Sequence, residues 1–420
     1  MRENCHVGKS IYETIPEEIK SEIDKFTSYP VKYSVQIPKK GGFKCDIYIC
    51  FPETQSEEVY ARMMEKMVCW LHLAIEYAGI HCAEKSLTVH LFMSNHEKRA
   101  EFDGDFFVLD RINVNSGQSS GCKERSEICI YRKEEWLKVF MHETCHSLGL
   151  SFNENMEEYV NLSVKQILKG VDDSQNIHLF ETHCEVVATL FNCVFSVLWN
   201  DTENKYTRRM ESQTRHQIIH QTIHQKNKYG SVIQGGVQHG TKNTQKKRKH
   251  KRSIRWLGFP VYYRKTAKRS MGRGGAGGND WKTRMVECMN METLFSLYQC
   301  EKIMKKYCHG NVRCFYDPGL DWKENTNVLS YYFAKTVVLC NIDNYVTLLE
   351  EKNGEHGGFS LWNWNEADYN DYIQFVFITS FSGFQNKYDE EKENKNGKQT
   401  WKKSSIMKKT MRMTIVGNNV

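Results

Sequence analysis

Lys133–Leu150 reads KEEWLKVFMHETCHSLGL. Two histidines, His142 and His146, stand four apart, and Glu143 directly follows the first. On a helix, residues four apart lie one above the other on the same face, so both imidazoles can face one ion. Glu143 lies about 100° round the helix from His142, beside such an ion rather than on it. Trp136, Leu137, Phe140 and Met141 give the stretch apolar backing, and Gly149 offers a C-terminal cap. With 16 His and 36 Glu in 420 residues, chance supplies about 0.05 matches to His-Glu-x-x-His. The spacing predicts two neutral imidazoles on Zn2+, with Glu143 as general base toward water. The plainer reading is a half-buried helix whose histidines only hydrogen-bond.

Catalytic zinc takes three protein ligands and keeps one position open. Downstream, LFETHCEVVATLF places Glu181 and Glu185 four apart near the start of a second strong helix, offset from its apolar stripe. Glu181 is the candidate third ligand. Glu185, one turn on, can accept the ring N–H of a ligating histidine and fix its orientation. His178, His183, Asp172 and Asp173 stand in reserve. Two solvent-facing acids at a helix start are the plainer alternative.

HETCH followed by ETHCE resembles the zincin metallopeptidases, and more narrowly the gluzincins, whose third ligand is Glu in an ExxxD-type helix motif. Glu181-x-x-x-Glu185 matches with Glu in place of Asp. The metzincin pattern fits through Gly149 and then fails, because Phe152 stands where its third histidine belongs. The wider pattern, with NVLSYYFAK, also resembles uncharacterised proteins of large DNA viruses over residues 30–380 without the insertion described below. The zincin resemblance implies an α+β fold: an N-terminal mixed sheet with the active-site helix, then a mainly helical C-terminal subdomain. It implies that Ser126–Arg132 is the edge strand lining the cleft, with Ile112–Gly121 as a mobile rim. It also implies an oxyanion donor from the C-terminal part, for which Tyr331 and Tyr332 are the candidates, against the alternative that both are core or rim.

Working outward, Val31–Ile37 and Phe43–Phe51 are β-rich runs around PKKGG and predict a hairpin. Glu57–Gly79 has helical spacing and Ser86–Met93 reads as a strand. Met156–Gly170, His178–Trp199, Glu292–Cys308 and Asn325–Cys340 read as helices. The domain reading is 1–150 for the sheet and HExxH helix. Residues 151–204 and 285–384 form the helical part, and 385–420 a mobile, Lys-rich tail.

Between them, residues 205–284 hold 21 Lys and Arg against 2 acids, leaving 37 bases and 49 acids elsewhere. RHQIIHQTIHQ, QKKRKHKR and GRGGAGG make this a basic disordered insertion in an acidic body. Residues 242–256 could bind nucleic acid weakly, or act as a nuclear import signal. His216, His220 and His224 read as part of a polar repeat. No run of eighteen apolar residues predicts a membrane span, and the first twenty residues lack a signal-peptide core. Fifteen scattered cysteines without a CxxC pair predict reduced, mostly buried thiols. The expected setting is intracellular, in cytoplasm or nucleus, and not secreted.

Together these features predict a zinc-dependent hydrolase, a metallopeptidase acting on a peptide or protein substrate. The alternative is a nucleic-acid-binding protein with a catalytically inactive zincin-like body. A zinc hydrolase acting on something other than peptides fits the motif equally, since HExxH specifies the water chemistry better than the substrate.

Overall fold

The runs flanking PKKGG do pair. β1 (Val31–Ile37) and β2 (Phe43–Cys50) form an antiparallel hairpin with Val31 opposite Ile49 and Ile37 opposite Phe43. The computed structural model describes residues 7–26, 30–38, 42–79, 82, 86–100, 108–172, 174–199, 280–320, 322–354, 358–393 and 405–416, with three short strand segments (Ile223–His224, Ile254–Trp256, Phe259–Val261) between 200 and 279. The disordered insertion expected over 205–284 is corrected at its end, where 280–284 are helical; apart from these and the three strand segments it lies, with the basic run and His216 and His220, outside the described residues.

Ahead of the hairpin stand two short helices, α1 (Lys9–Tyr12) and α2 (Glu17–Ile23). After it, α3 (Glu57–Tyr77) carries the chain to β3 (Ser86–Phe92), which pairs parallel to β2. A parallel neighbour needs such a crossover, and a helix is its usual form. A single turn, α4 (Arg111–Val114), leads into β4 (Gly117–Ser119) and then β5 (Arg125–Ile130). β5 is parallel to β3, and β4 is antiparallel to β5. These five strands form a mixed sheet in the order β4-β5-β3-β2-β1, and the short segment Ile223–His224 adds antiparallel to the outer edge of β1 as a sixth strand.

Side chains alternate across it, as strand geometry requires. Cys45, Ile47, Ile49, Val89, Leu91, Ile128 and Ile130 face the main core. Cys50, Phe92, Cys129 and Tyr131 face the other way, against Ile11, Ile15, Ile19 and Ile23 of the N-terminal helices. Both faces are therefore covered.

On the main face lie α3 and α5 (Trp136–Ser147), the helix of the opening motif. Trp70 of α3 donates from Nε1 to Thr144 Oγ1 and ties the two together. α5 ends as Gly149 predicts. Gly149 sits at φ +62°, its N–H bonds to His146 O at 3.2 Å, and Leu150 N–H bonds to Cys145 O at 2.8 Å. These two bonds make a Schellman cap.

The rest is helical: α6 (Glu157–Ile167), α7 (Leu179–Trp199), α8 (Asp280–Cys308), α9 (Lys335–Cys340), α10 (Ile342–Asn353), α11 (Glu366–Gln374), α12 (Phe381–Glu393) and α13 (Ser405–Lys409). α7 packs on α5 and α8. It is the one helix among the described residues long and apolar enough to cross a membrane, and 83% of its apolar window is buried inside the protein. The run expected as one helix from Asn325 is a π-helical turn, Leu329–Ala334, continuing into α9. The architecture is α+β, a mixed sheet followed by a helical C-terminal part.

Two expectations need correction. The tail from residue 385 is not free. It is helical to Glu393, and from Ser405 it re-enters the body, where Met411 and Thr414 are fully buried. Its Lys-rich composition hid the apolar Met411 and Met413. Nor are all thiols reduced. Cys82 pairs with Cys122 and Cys308 with Cys314, while ten other cysteines among the described residues are in no disulfide. Cys82 and Cys122 stand 40 residues apart with β3 and β4 between them, so no sequence spacing marks them as partners.

Candidate metal centre

His142, His146 and Glu181 each sit on the helix that their spacing implied. His142 and His146 rise one turn apart on α5, and their Nε2 atoms are 3.2 Å apart. Glu181, in the first turn of α7, brings Oε2 to 2.9 Å from His142 Nε2 and 3.4 Å from His146 Nε2. The three donors lie within 4.8 Å of one another. Ligands about 2.0–2.1 Å from a tetrahedral zinc stand about 3.3–3.4 Å from each other, close to these separations. Glu181 Oε2 is buried and accepts no hydrogen bond, an orphan between two ring nitrogens. Buried polar atoms are rarely left so. The residues fit a divalent cation.

The electrostatics follow from burial and neighbours. Burial opposes a charged His142, yet Glu181 and Glu185 draw its pKa up to about 10. Burial also favours a neutral Glu181, but His146 and His142 hold it far below the usual carboxylate range. His142 Nδ1 lies 3.1 Å from Glu185 Oε1. Glu185 is thus on the far side of the ring from Glu181, where a carboxylate orients a ligating imidazole. Its own pKa is driven down, against burial, by Lys138 and Lys335.

Glu143 is 7% exposed and opens on a cleft of about 720 Å³. Burial pushes its carboxyl upward, while His142, His146 and a contact with the Ser119 side chain act the other way. The cleft is bounded by Gly117–Ser119 on one side and by Phe180 and Asn325–Asn327 on the other.

β4, not the Ser126–Arg132 strand, is the sheet edge that borders the cleft. β5 is sandwiched between β3 and β4. β4 is only three residues long and reads GQS, without the apolar run that marks a strand. The approach to it is not a loose rim either. Asp110 caps α4 through a capping box. The buried guanidinium of Arg132 donates to the carbonyls of Asn115, His96 and Ile112.

The two tyrosines part company. Tyr331 lines the cleft, with its ring centroid 6.1 Å from that of His142. Asn327 Nδ2 donates to Tyr331 OH at 3.4 Å and to Glu181 Oε1 at 3.1 Å, linking the phenol to the candidate ligands. Tyr332 instead donates to Met411 O at 2.6 Å in the interior. It does not reach the cleft, because adjacent helical residues point about 100° apart.

Among the reserve ligands, His178 lines the cleft but pairs with Glu157 at 2.7 Å. His183 lies 2.5 Å from Tyr345 OH, and burial lowers its pKa to about 3. Asp172 accepts from Ser174 N and pairs with Lys323. Asp173 lies outside the described residues. Sequence reading missed Lys138, Lys335, Asn327 and Arg132. Lys138 carried a signal, since it stands four residues before His142 and so shares its helix face. No protein family, curated protein or solved structure matches this chain.

Proposed function

We propose that this chain is a zinc-dependent hydrolase, a metallopeptidase of gluzincin type, with His142, His146 and Glu181 as ligands. The observation that carries the reading is the approach of Glu181 Oε2 to both ring nitrogens from a separate helix. The antiparallel edge strand beside the HExxH helix supports the zincin comparison.

A bound Zn2+ supplies Lewis acidity toward a carbonyl and lowers the pKa of water toward about 7. The chain's own groups do the rest. The outer edge of β4 offers backbone N–H and C=O groups to an extended peptide, which adds as a strand along the cleft. Glu143, beside the ligands and raised by burial, accepts the proton from water and returns it to the leaving amine. Tyr331 stands across the cleft with its hydroxyl proton free of Asn327, which is itself the donor, and steadies the developing oxyanion. Glu185 fixes the ring of His142.

Metal analysis of the purified chain is the test. One zinc per chain is expected, lost in His142→Ala, His146→Ala and Glu181→Ala. Glu143→Gln should keep the zinc and lose hydrolysis of a peptide library about 10²–10⁴-fold. A wild-type chain that takes up no zinc would end this reading.

A further inference from the structure

Lys138 and Lys335 are buried lysines, 1% and 2% exposed at the side chain. Both reach Glu185. Lys138 Nζ donates to Glu185 Oε1, and Lys335 Nζ stands 3.4 Å from Oε2. They come from different elements, Lys138 from α5 one turn before His142 and Lys335 from the start of α9.

Both also meet the segment that re-enters the body. Lys335 Nζ donates to Met413 O, and Lys138 Nζ lies 3.7 Å from Met413 Sδ. That segment is fixed in turn. Glu135 Oε1 accepts Met413 N–H at 2.7 Å and Thr414 N–H at 2.6 Å. Glu292 Oε1 accepts from the Thr414 hydroxyl and from Val416 N–H at 2.8 Å.

Taking an ammonium out of water costs several kcal/mol, and apolar residues of similar volume often serve stability as well or better. Neither lysine faces the cleft. Stability alone therefore does not account for two of them on one carboxylate. What they hold does: Glu185 Oε1 is 3.1 Å from His142 Nδ1. A carboxylate hydrogen-bonded by Lys138 on one oxygen and ion-paired with Lys335 at 3.4 Å on the other is held against the ring it orients.

We propose that Lys138 and Lys335, seated on Met413, are positioning residues of the metal centre: they fix Glu185, which fixes the ring plane of His142. The inference rests on the zinc reading above. Outer partners of ligating histidines change metal affinity about 10–100-fold, so the effect is measurable.

The probe is Zn2+ alone, with Co2+ as its spectroscopic stand-in. Lys335→Gln keeps a donor for the Met413 carbonyl and removes the charge from Glu185. It should weaken zinc binding about 10–100-fold in competition with a chelator. It should also shift the d–d bands of the Co2+ form, with the metal-free melting temperature near wild type. Lys335→Arg should restore affinity and spectrum. Unchanged affinity and spectrum in Lys335→Gln overturn the proposal. So does a variant that melts lower without metal yet binds zinc as wild type, because the lysine then acts on the fold alone. Should Lys335→Gln not fold, Lys138→Gln runs the same test from the other ammonium, with the same expected and overturning results. Failure of the wild-type chain to bind zinc removes the metal reading itself, whereas wild-type binding with unaffected variants removes only the clamp.

Discussion

Gly117 and Glu143 leave no room for a side chain between them: a Cβ on Gly117 would stand 3.3 Å from Glu143 Cγ and 2.7 Å from Val139 Cγ1. The backbone of the edge strand therefore runs directly against the helix that bears the proposed base. Gly117→Ala must push β4 away from α5. The expected cost is about 1–3 kcal/mol of stability, with peptide turnover falling more than zinc affinity. Thermal melts and steady-state kinetics on one preparation measure both. An alanine variant as stable and active as wild type would refute the close approach.

Tyr331 and Tyr332 should separate cleanly. Tyr331→Phe removes the hydroxyl facing the cleft and is expected to lower kcat about 10²–10³-fold, as loss of one oxyanion donor does, with little change in melting. Tyr332→Phe strips the donor from the buried Met411 carbonyl, at a cost of about 1–3 kcal/mol, and should spare turnover in the folded protein. Reversed effects would exchange their roles.

Glu324 gives a pH dependence of defined sign. Burial raises its pKa to about 8, although Leu329 N–H and Trp322 Nε1 donate to it. The folded form thus holds a proton that the unfolded chain releases near pH 4.3. The contribution is fully present below that value and is lost as pH rises toward 8. Glu324→Gln keeps an acceptor and no longer titrates. Denaturant melts at pH 5 and pH 8 should show wild type losing about 3–4 kcal/mol more than the variant across that range. Equal losses would contradict the assignment.

Chelation should loosen the whole body, because the proposed ligands join α5 to α7. At free zinc 100-fold above its dissociation constant, binding adds about 2.7 kcal/mol to stability. EDTA should lower the melting temperature of wild type and leave Glu181→Ala unchanged. Identical shifts in both would mean that the chelator acts elsewhere.

Much of this site was legible because helical spacing is a local code. His142 and His146 needed only the 3.6-residue period to share a face, and Glu181 with Glu185 needed the same. The β1–β2 hairpin showed in its apolar runs and its glycine turn. What escaped depends on tertiary partners. β4 is three polar residues whose strand character comes from pairing with β5. The seat of residues 411–416 depends on Glu135 and Glu292, hundreds and about a hundred positions away in sequence, respectively. Lys335 reads as a solvent-facing charge until Glu185 is placed beside it. Tyr331 and Tyr332 were equivalent in sequence and became distinct only once the π-helical turn fixed their directions.

That same seat orders how the protein is made. A nascent chain paused on the ribosome before residue 410 has already synthesised both histidines, Glu181, Glu135 and Glu292. The acids then still lack the backbone amides of Met413, Thr414 and Val416 that they accept in the finished fold. Translation delivers the keystone after the arch: those amides reach their acids only once residues 413–416 have cleared the exit tunnel.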